Sequence, residues 1–217
     1  MRIVAVSTGL PADLTSGSRT VLSGIVKAPV DGRVAVGPTG LAGDGQADLS
    51  VHGGPDKAVY AYPLEHYAHW AAELGRDDLA PGHFGENLTV EGLPEDEIAI
   101  GDVLRSDGAL FEVSQPRVPC FKLGMRMGDP GFLKPFLRSG RVGFYLRVLE
   151  TGSVGAGDAL RREHAAEGSM TVRGVAALLL DSASADDLAR GAEVAALPLA
   201  WREGFANRAI ALRRRPA

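Results

Sequence analysis

Residues 101–115 read GDVLRSDGALFEVSQ, two short runs of strand-forming residues on either side of Asp107-Gly108. Glycine reaches the positive φ that a tight hairpin turn demands, so the dipeptide predicts an antiparallel hairpin. The same grammar recurs outward from it. RIVAVST at 2–8, SGIVKAPV at 23–30, GRVAV at 32–36, ENLTV at 86–90 and GFYLRVL at 143–149 are short β-type runs punctuated by glycine. Such punctuation predicts a mainly β fold, a barrel, with peripheral helices. Two helical stretches interrupt it, YPLEHYAHWAAELG at 62–75 and DPGFLKPFLRSG at 129–140. Each ends in a glycine suited to a C-cap, and both are expected to pack on the barrel.

The organisation changes near residue 165. After the polar segment RREHAAEGSM come TVRGVAALLLD, SADDLARGAEV and LPLAWREGFANRAIALRRR, a helical pattern in three pieces. The expected division is a β-domain over residues 1–165 and a small three-helix module over 166–217. In the last helix Leu197, Trp201 and Phe205 recur every fourth residue, which makes one apolar stripe, while Arg202 and Glu203 face water. A bundle this small holds itself weakly, so the stripe is expected against the β-domain or a second chain.

The chain has 217 residues, 45% hydrophobic and 23% charged, with a formal net charge of −4. That balance fits a globular protein and argues against nonspecific nucleic-acid binding. The basic cluster Arg213 to Arg215 reads as a solvated tail. The start MRIVAVSTGLPADL lacks the apolar run of a signal peptide and no segment is apolar enough for a membrane helix, so the expected location is the cytoplasm. With one cysteine the chain forms no internal disulfide, four-cysteine zinc site or iron–sulfur cluster of its own.

The motifs G-x-G-x-x-G, H-E-x-x-H and G-x-S-x-G are absent. GGPDKAV resembles a phosphate loop only superficially, because Ala58 follows Lys57 where a magnesium-binding Ser or Thr is needed. In GLAGDGQADLSVHGGPDKAVYAYP, 40–63, amides at the paired Gly53 and Gly54, together with Lys57, can cradle an anion. Read alone, the segment is also a glycine turn with Lys57 on the surface, and His52 a hydrogen-bonding core residue. FGENLTV, 84–90, is either a hairpin edge, with Glu86 in water and Asn87 capping a turn, or a pocket lining. His66 and His69, beside Glu65, read as a helix face rather than a zinc site.

The lone Cys120 lies in SQPRVPCFKLGMRMG, 114–128. A lone cysteine is commonly a small buried hydrophobe. Here Arg117, Lys122, Arg126 and Arg141 can favour the thiolate, which is a nucleophile and a ligand for a soft or high-valent metal.

The blocks GLAGDGQADLSVHGGPDKAVYAYP, FGENLTVEGLPEDEIAIGDVLR and VSQPRVPCFKLGMRMG, in this order, resemble those of MOSC domains. The cysteine after QPRVP and the helical tail resemble most closely the YiiM type, a MOSC β-barrel with a three-helix C-terminal module. The resemblance implies a molybdenum cofactor (molybdopterin) with Cys120 as the protein ligand of molybdenum. Arg117, Lys57, Asn87, Gly53 and Gly54 are then candidate cofactor contacts, and His52 joins Cys120 as a candidate catalytic residue.

The implied reaction is reduction of N-hydroxylated compounds, such as hydroxylaminopurines, amidoximes and hydroxylamines, to amines, with a role in detoxifying N-hydroxylated bases. Lacking a dinucleotide fingerprint, the chain is expected to take electrons from an external flavin-dependent reductase, and a homodimer is expected from the resemblance. A carrier of cofactor, or of sulfur as a persulfide on Cys120, is the alternative; pyridoxal phosphate binding is not expected. A metal-free thiol nucleophile would need a general base, for which His52 is the candidate.

Overall fold

The computed structural model describes residues 1–48 and 53–214. The first part runs through β1 (Arg2–Thr8), β2 (Ala12–Ser16), β3 (Arg19–Ser23), β4 (Ala28–Pro29), β5 (Arg33–Gly37), β6 (Gly40–Leu41) and β7 (Val59–Pro63). Then follow α1 (Glu65–Leu74), β8 (Leu88–Glu91), β9 (Val103–Arg105), β10 (Leu110–Pro116), α2 (Phe121–Met127) and α3 (Leu133–Ser139). Strands β11 (Phe144–Glu150), β12 (Gly152–Gly155) and β13 (Arg161–His164) lead to α4 (Val172–Ala177), α5 (Ala185–Ala192) and α6 (Leu199–Arg213).

The fold is dominated by sheet. Eight strands pair in the order β13-β9-β10-β11-β7-β8-β1-β4, beside a three-stranded sheet β12-β5-β6 and the hairpin β2-β3. Among the described residues the long ladder does not close on itself, since its edges β13 and β4 are not paired. The hairpin at Asp107-Gly108 forms as expected, with Leu110 opposite Arg105 and Ser106 Oγ accepting the Ala109 amide at 2.9 Å. Its glycine serves a different purpose from the one expected. Gly108 is not among the positive-φ glycines; instead a Cβ there would meet the Ser153 carbonyl oxygen at 2.3 Å. Close approach of β12 requires the glycine, not turn geometry.

All five residues of β7 are buried. Because side chains alternate across a strand, Val59 and Ala61 enter the main aliphatic core while Tyr60 and Tyr62 enter a second, aromatic one. Tyr62 stacks on Phe84 with ring centroids 4.4 Å apart, and Trp70 of α1 donates to its hydroxyl at 2.7 Å. Trp70 also stacks on Phe136 of α3, so both helices pack on the sheet through rings. They end where the sequence indicates, at left-handed Gly75 and Gly140.

Glu86 is not in water as the hairpin-edge reading has it. It is 0% exposed, accepts from the amides of Gly82 and Phe84 at 2.7 and 3.1 Å, from Thr89 at 3.0 Å, and from the Tyr67 hydroxyl. A buried carboxylate is tolerable only with such a set of donors.

RREH, the start of the segment read as polar, is the edge strand β13 against β9. Of the three helices beyond it, the first two start at side-chain caps, Thr171 Oγ accepting the Gly174 amide and Ser184 Oγ the Asp187 amide, both at 3.1 Å, whereas α6 follows Pro198 without one. Val172, Val175, Leu188 and Phe205 share the main core with Ile98 and Phe111. The expected stripe turns inward, although Leu197 lies just before α6: Leu197 and Phe205 are buried, and Trp201 sets its ring edge against Phe205 at 5.7 Å. Glu203 is exposed, whereas Arg202 is half-buried and donates to the Ala192 carbonyl at 3.2 Å.

His83 lies beside the aromatic core. Burial first, then the Arg126 and Arg76 guanidinium groups, push its pKa from 6.5 down to about 4. The unfolded chain thus binds this proton first, so the contribution is fully present above pH 6.5 and lost as pH falls toward 4. His83→Gln should flatten the decline in thermal midpoint across that window. Identical pH profiles for variant and wild type would show that His83 does not contribute to it.

Candidate functional site

Strand β10 carries the site to its end. The Arg117 amide still donates to the Gly143 carbonyl at 3.2 Å, and the Val118-Pro119 turn then delivers Cys120 to the N-cap position of α2. Cys120 is extended there (φ −114°, ψ 167°) and its carbonyl accepts from the Leu123 amide at 2.9 Å. Sequence reasoning missed this short helix. Its signals were Leu123 and Met127 four apart and the left-handed C-cap Gly128.

The half-buried thiol stands where two cavities meet. One is polar. Among its described lining residues Lys27, Lys57, Arg117 and Lys122 face a single carboxylate, Asp44, in a chain whose formal net charge is −4. Such a local excess of cations marks an anion site. The other cavity, of about 500 Å³, lies between the Cys120 turn and α6, with Trp201 and Phe205 in its wall. Lys57, Cys120 and Tyr145 line both.

Arg117 is 5% exposed and has no carboxylate partner among the described residues. It donates to the Phe84 carbonyl at 3.1 Å and the Tyr60 hydroxyl at 3.4 Å, and its guanidinium lies 5.0 Å from the Tyr60 ring centroid. Burial opposes its charge, while the hydrogen bond to Tyr60 and the Tyr60 ring face favour it, and the balance keeps it cationic. Lys57 ends the 3-10 turn Pro55–Lys57, where burial pushes its pKa below the usual lysine value. Burial likewise raises the Tyr60 and Tyr145 phenols, which stay neutral.

Asn87 lines the polar cavity but its amide is already engaged. Its Oδ1 accepts from the Tyr60 amide at 3.0 Å and its Nδ2 donates to Asp44 Oδ2 at 2.9 Å. It therefore braces Asp44, which pairs with Lys27. Gly53 and Gly54 do not line the cavity among the described residues. Gly54, at φ 92°, opens the turn that carries Lys57. The lining glycines are Gly24, Gly45 and Gly85, and a Cβ on Gly24 would meet the Gly45 carbonyl oxygen at 2.1 Å. His52 lies outside the described residues. Arg126 sits near Arg76 and His83 instead, and neither it nor Arg141 lines either cavity. His66 is held by Glu95, Nε2 to Oε2 at 2.6 Å.

Residues 48–161 match the MOSC domain. The chain belongs to the MOSC-domain family. Over 204 residues it is 40% identical to the Bacillus subtilis protein YflK, described as uncharacterized, covering 94% of this chain and 92% of that one. The crystal structure of YiiM from Geobacillus stearothermophilus superposes with a TM-score of 0.81 at 34% identity, covering 96% of this chain and 98% of that one, which makes this a MOSC protein of the YiiM type. A Gibberella moniliformis protein named "Reductase" is 42% identical over 143 residues, 64% of this chain but only 25% of its own length.

The MOSC domain here contains no group of three His, Cys, Asp or Glu side chains able to hold a metal among the described residues. A metal at Cys120 would thus take one ligand from the chain and the rest from a cofactor. A soft thiol donor, excess cations and glycine-walled loops fit an anionic metal–pterin phosphate. Lys27, Asp44, Tyr60 and Tyr145 escaped sequence reasoning because no local pattern marks them. No described helix is long and apolar enough to cross a membrane.

Proposed function

We propose that this MOSC protein is a molybdenum-cofactor-dependent reductase of N-hydroxylated compounds, with hydroxylaminopurines, amidoximes and hydroxylamines as the substrate class and Cys120 as the protein ligand of the metal. The observation that carries this is the thiol's position between a cationic pocket and an apolar cavity. The cationic side suits an anionic cofactor, and the apolar side suits the body of an organic substrate. That second cavity favours an enzyme over a carrier of cofactor or persulfide. A metal-free thiol nucleophile is less supported, since no described histidine lines either cavity.

Converting R–NHOH to R–NH2 and water consumes two electrons and two protons. When bound, the cofactor would supply the two-electron reduction. Cys120 anchors it, and Arg117, Lys122 and Lys57 neutralise its negative charge. Lys57, whose ammonium is made more acidic by burial, faces both cavities and is placed to return a proton to the departing oxygen. Val118, Pro119 and Trp201 limit water on the substrate side. In the same reading residues 166–217 are a module whose last helix walls that cavity. We also propose a homodimer, supported by Leu199 and Ile210, 64% and 47% exposed and eleven residues apart on one face of α6.

The test is molybdenum and pterin content after expression in a cofactor-competent host and in one unable to make the cofactor. Both should be present only from the first. That protein should not oxidise NADPH by itself, but should turn over hydroxylaminopurine with an added flavin-dependent reductase or reduced viologen. Absence of molybdenum from both preparations would sink the reading.

A further inference from the structure

We propose that Gln115 and Trp201 form the substrate-recognition subsite of the apolar cavity, selecting planar heteroaromatic amines that present a hydrogen-bond donor beside an acceptor. This deepens the reductase reading and rests on it, because the cavity matters by opening on Cys120.

The carrying observation is Gln115. It is 2% exposed and lines this cavity, yet its carboxamide makes no hydrogen bond among the described residues and is not among the sealed, unsatisfied groups. Its polar atoms are open to the cavity, where water can meet them, and they offer a ligand one acceptor oxygen beside one donor nitrogen. A ligand that replaces that water most fully presents the complementary pair, as an amino group next to a ring nitrogen does. The Arg208 guanidinium in the same wall is committed elsewhere. Arg208 donates to the Leu178 and Leu180 carbonyls at 2.5 and 3.2 Å, pinning the segment after α4 to α6.

The rest of the wall is largely apolar: Trp201 and Phe205 on α6, Leu179, and Val118 with Pro119 just before the thiol. Ring faces favour a planar partner. The volume, about 500 Å³, lies within the roughly 300–1,000 Å³ of small-molecule sites. The polar cavity across Cys120 offers cations instead, so the two sides select different parts of the reacting assembly.

Adenine is the probe, titrated into the full-length chain purified without cofactor and followed by calorimetry and tryptophan emission. The chain has two tryptophans. Trp70 is sealed in the aromatic core and Trp201 borders the cavity, so adenine should quench the wild type and Trp201→Phe should abolish the response. Gln115→Leu, of similar volume, should weaken adenine by on the order of tenfold or more, while unsubstituted purine, lacking the amino group, changes by less than about threefold. If that variant misfolds by circular dichroism, the isosteric Gln115→Glu, which loses the donor, decides by the same criterion. No binding of adenine to the wild type, or equal affinity in the folded Gln115 variant, overturns the subsite. Because the titration needs no metal, molybdenum retained without adenine binding defeats this inference alone. Adenine binding through Gln115 in a chain that never holds molybdenum defeats the reductase instead.

Discussion

Cys120→Ser is expected to abolish hydroxylaminopurine reduction and molybdenum retention while leaving the thermal midpoint of the metal-free protein within about 3 °C of wild type. The substitution changes one atom at a half-buried position, so little packing is lost. The backbone of the site survives it, because the Cys120 carbonyl still accepts the Leu123 amide. Cys120 is the N-cap of α2 and its side chain makes no capping bond. Serine is a preferred N-cap, so the local effect on folding should be neutral or favourable. What serine lacks is the polarisable thiolate that binds a soft or high-valent metal. Lost activity in a fold at least as stable isolates the donor atom as the cause. A serine variant with full activity would end the metal–thiolate role.

Arg117→Met should separate stability from cofactor binding in opposite directions. A buried guanidinium without a carboxylate carries a desolvation cost that its bonds to Phe84 and Tyr60 offset only in part, and methionine keeps most of the aliphatic stem against Tyr60 and Phe136. Metal-free Arg117→Met should therefore be as stable as wild type or more so. The same variant should lose at least about tenfold in pterin retained through gel filtration, because a desolvated charge opposite an anion contributes strongly to binding. Arg117→Lys should retain an intermediate amount, keeping the charge without the planar fork. A metal-free variant that is strongly destabilised yet holds pterin normally would assign Arg117 to the fold. Thermal melts beside pterin fluorescence read both quantities on one preparation.

Parts of this molecule were legible in the sequence because their causes are local. The β9–β10 hairpin follows from strand-forming runs around a turn dipeptide, and the ends of α1 and α3 follow from glycines that adopt φ of 60° and 68°. The helical pattern after residue 170 follows from caps and periodicity. Strand β7 was illegible for the opposite reason. Buried on both faces, it has no polar alternation to betray its period of two, and its glycine-rich approach reads as loop. Gly108 could be seen to matter, but its reason lies in Ser153, forty-five residues away.

The same division runs through the site. The sequence by itself determined the chemical inventory: one thiol, set beside Arg117 and Lys122 by its own segment, with no further cysteine to share a metal. Only the tertiary structure decided what surrounds that thiol. Pairing of β10 with β11 and β11 with β7 brings Tyr145, Tyr60 and Lys57 to it, and core packing of α6 turns an apparent interaction stripe into a cavity wall. It also decided that Glu86 is buried among its donors while Gln115 is buried without one. Polar side chains have the same local propensities whether they meet water, a protein donor or a ligand, and that choice is made by contacts between segments far apart in the chain.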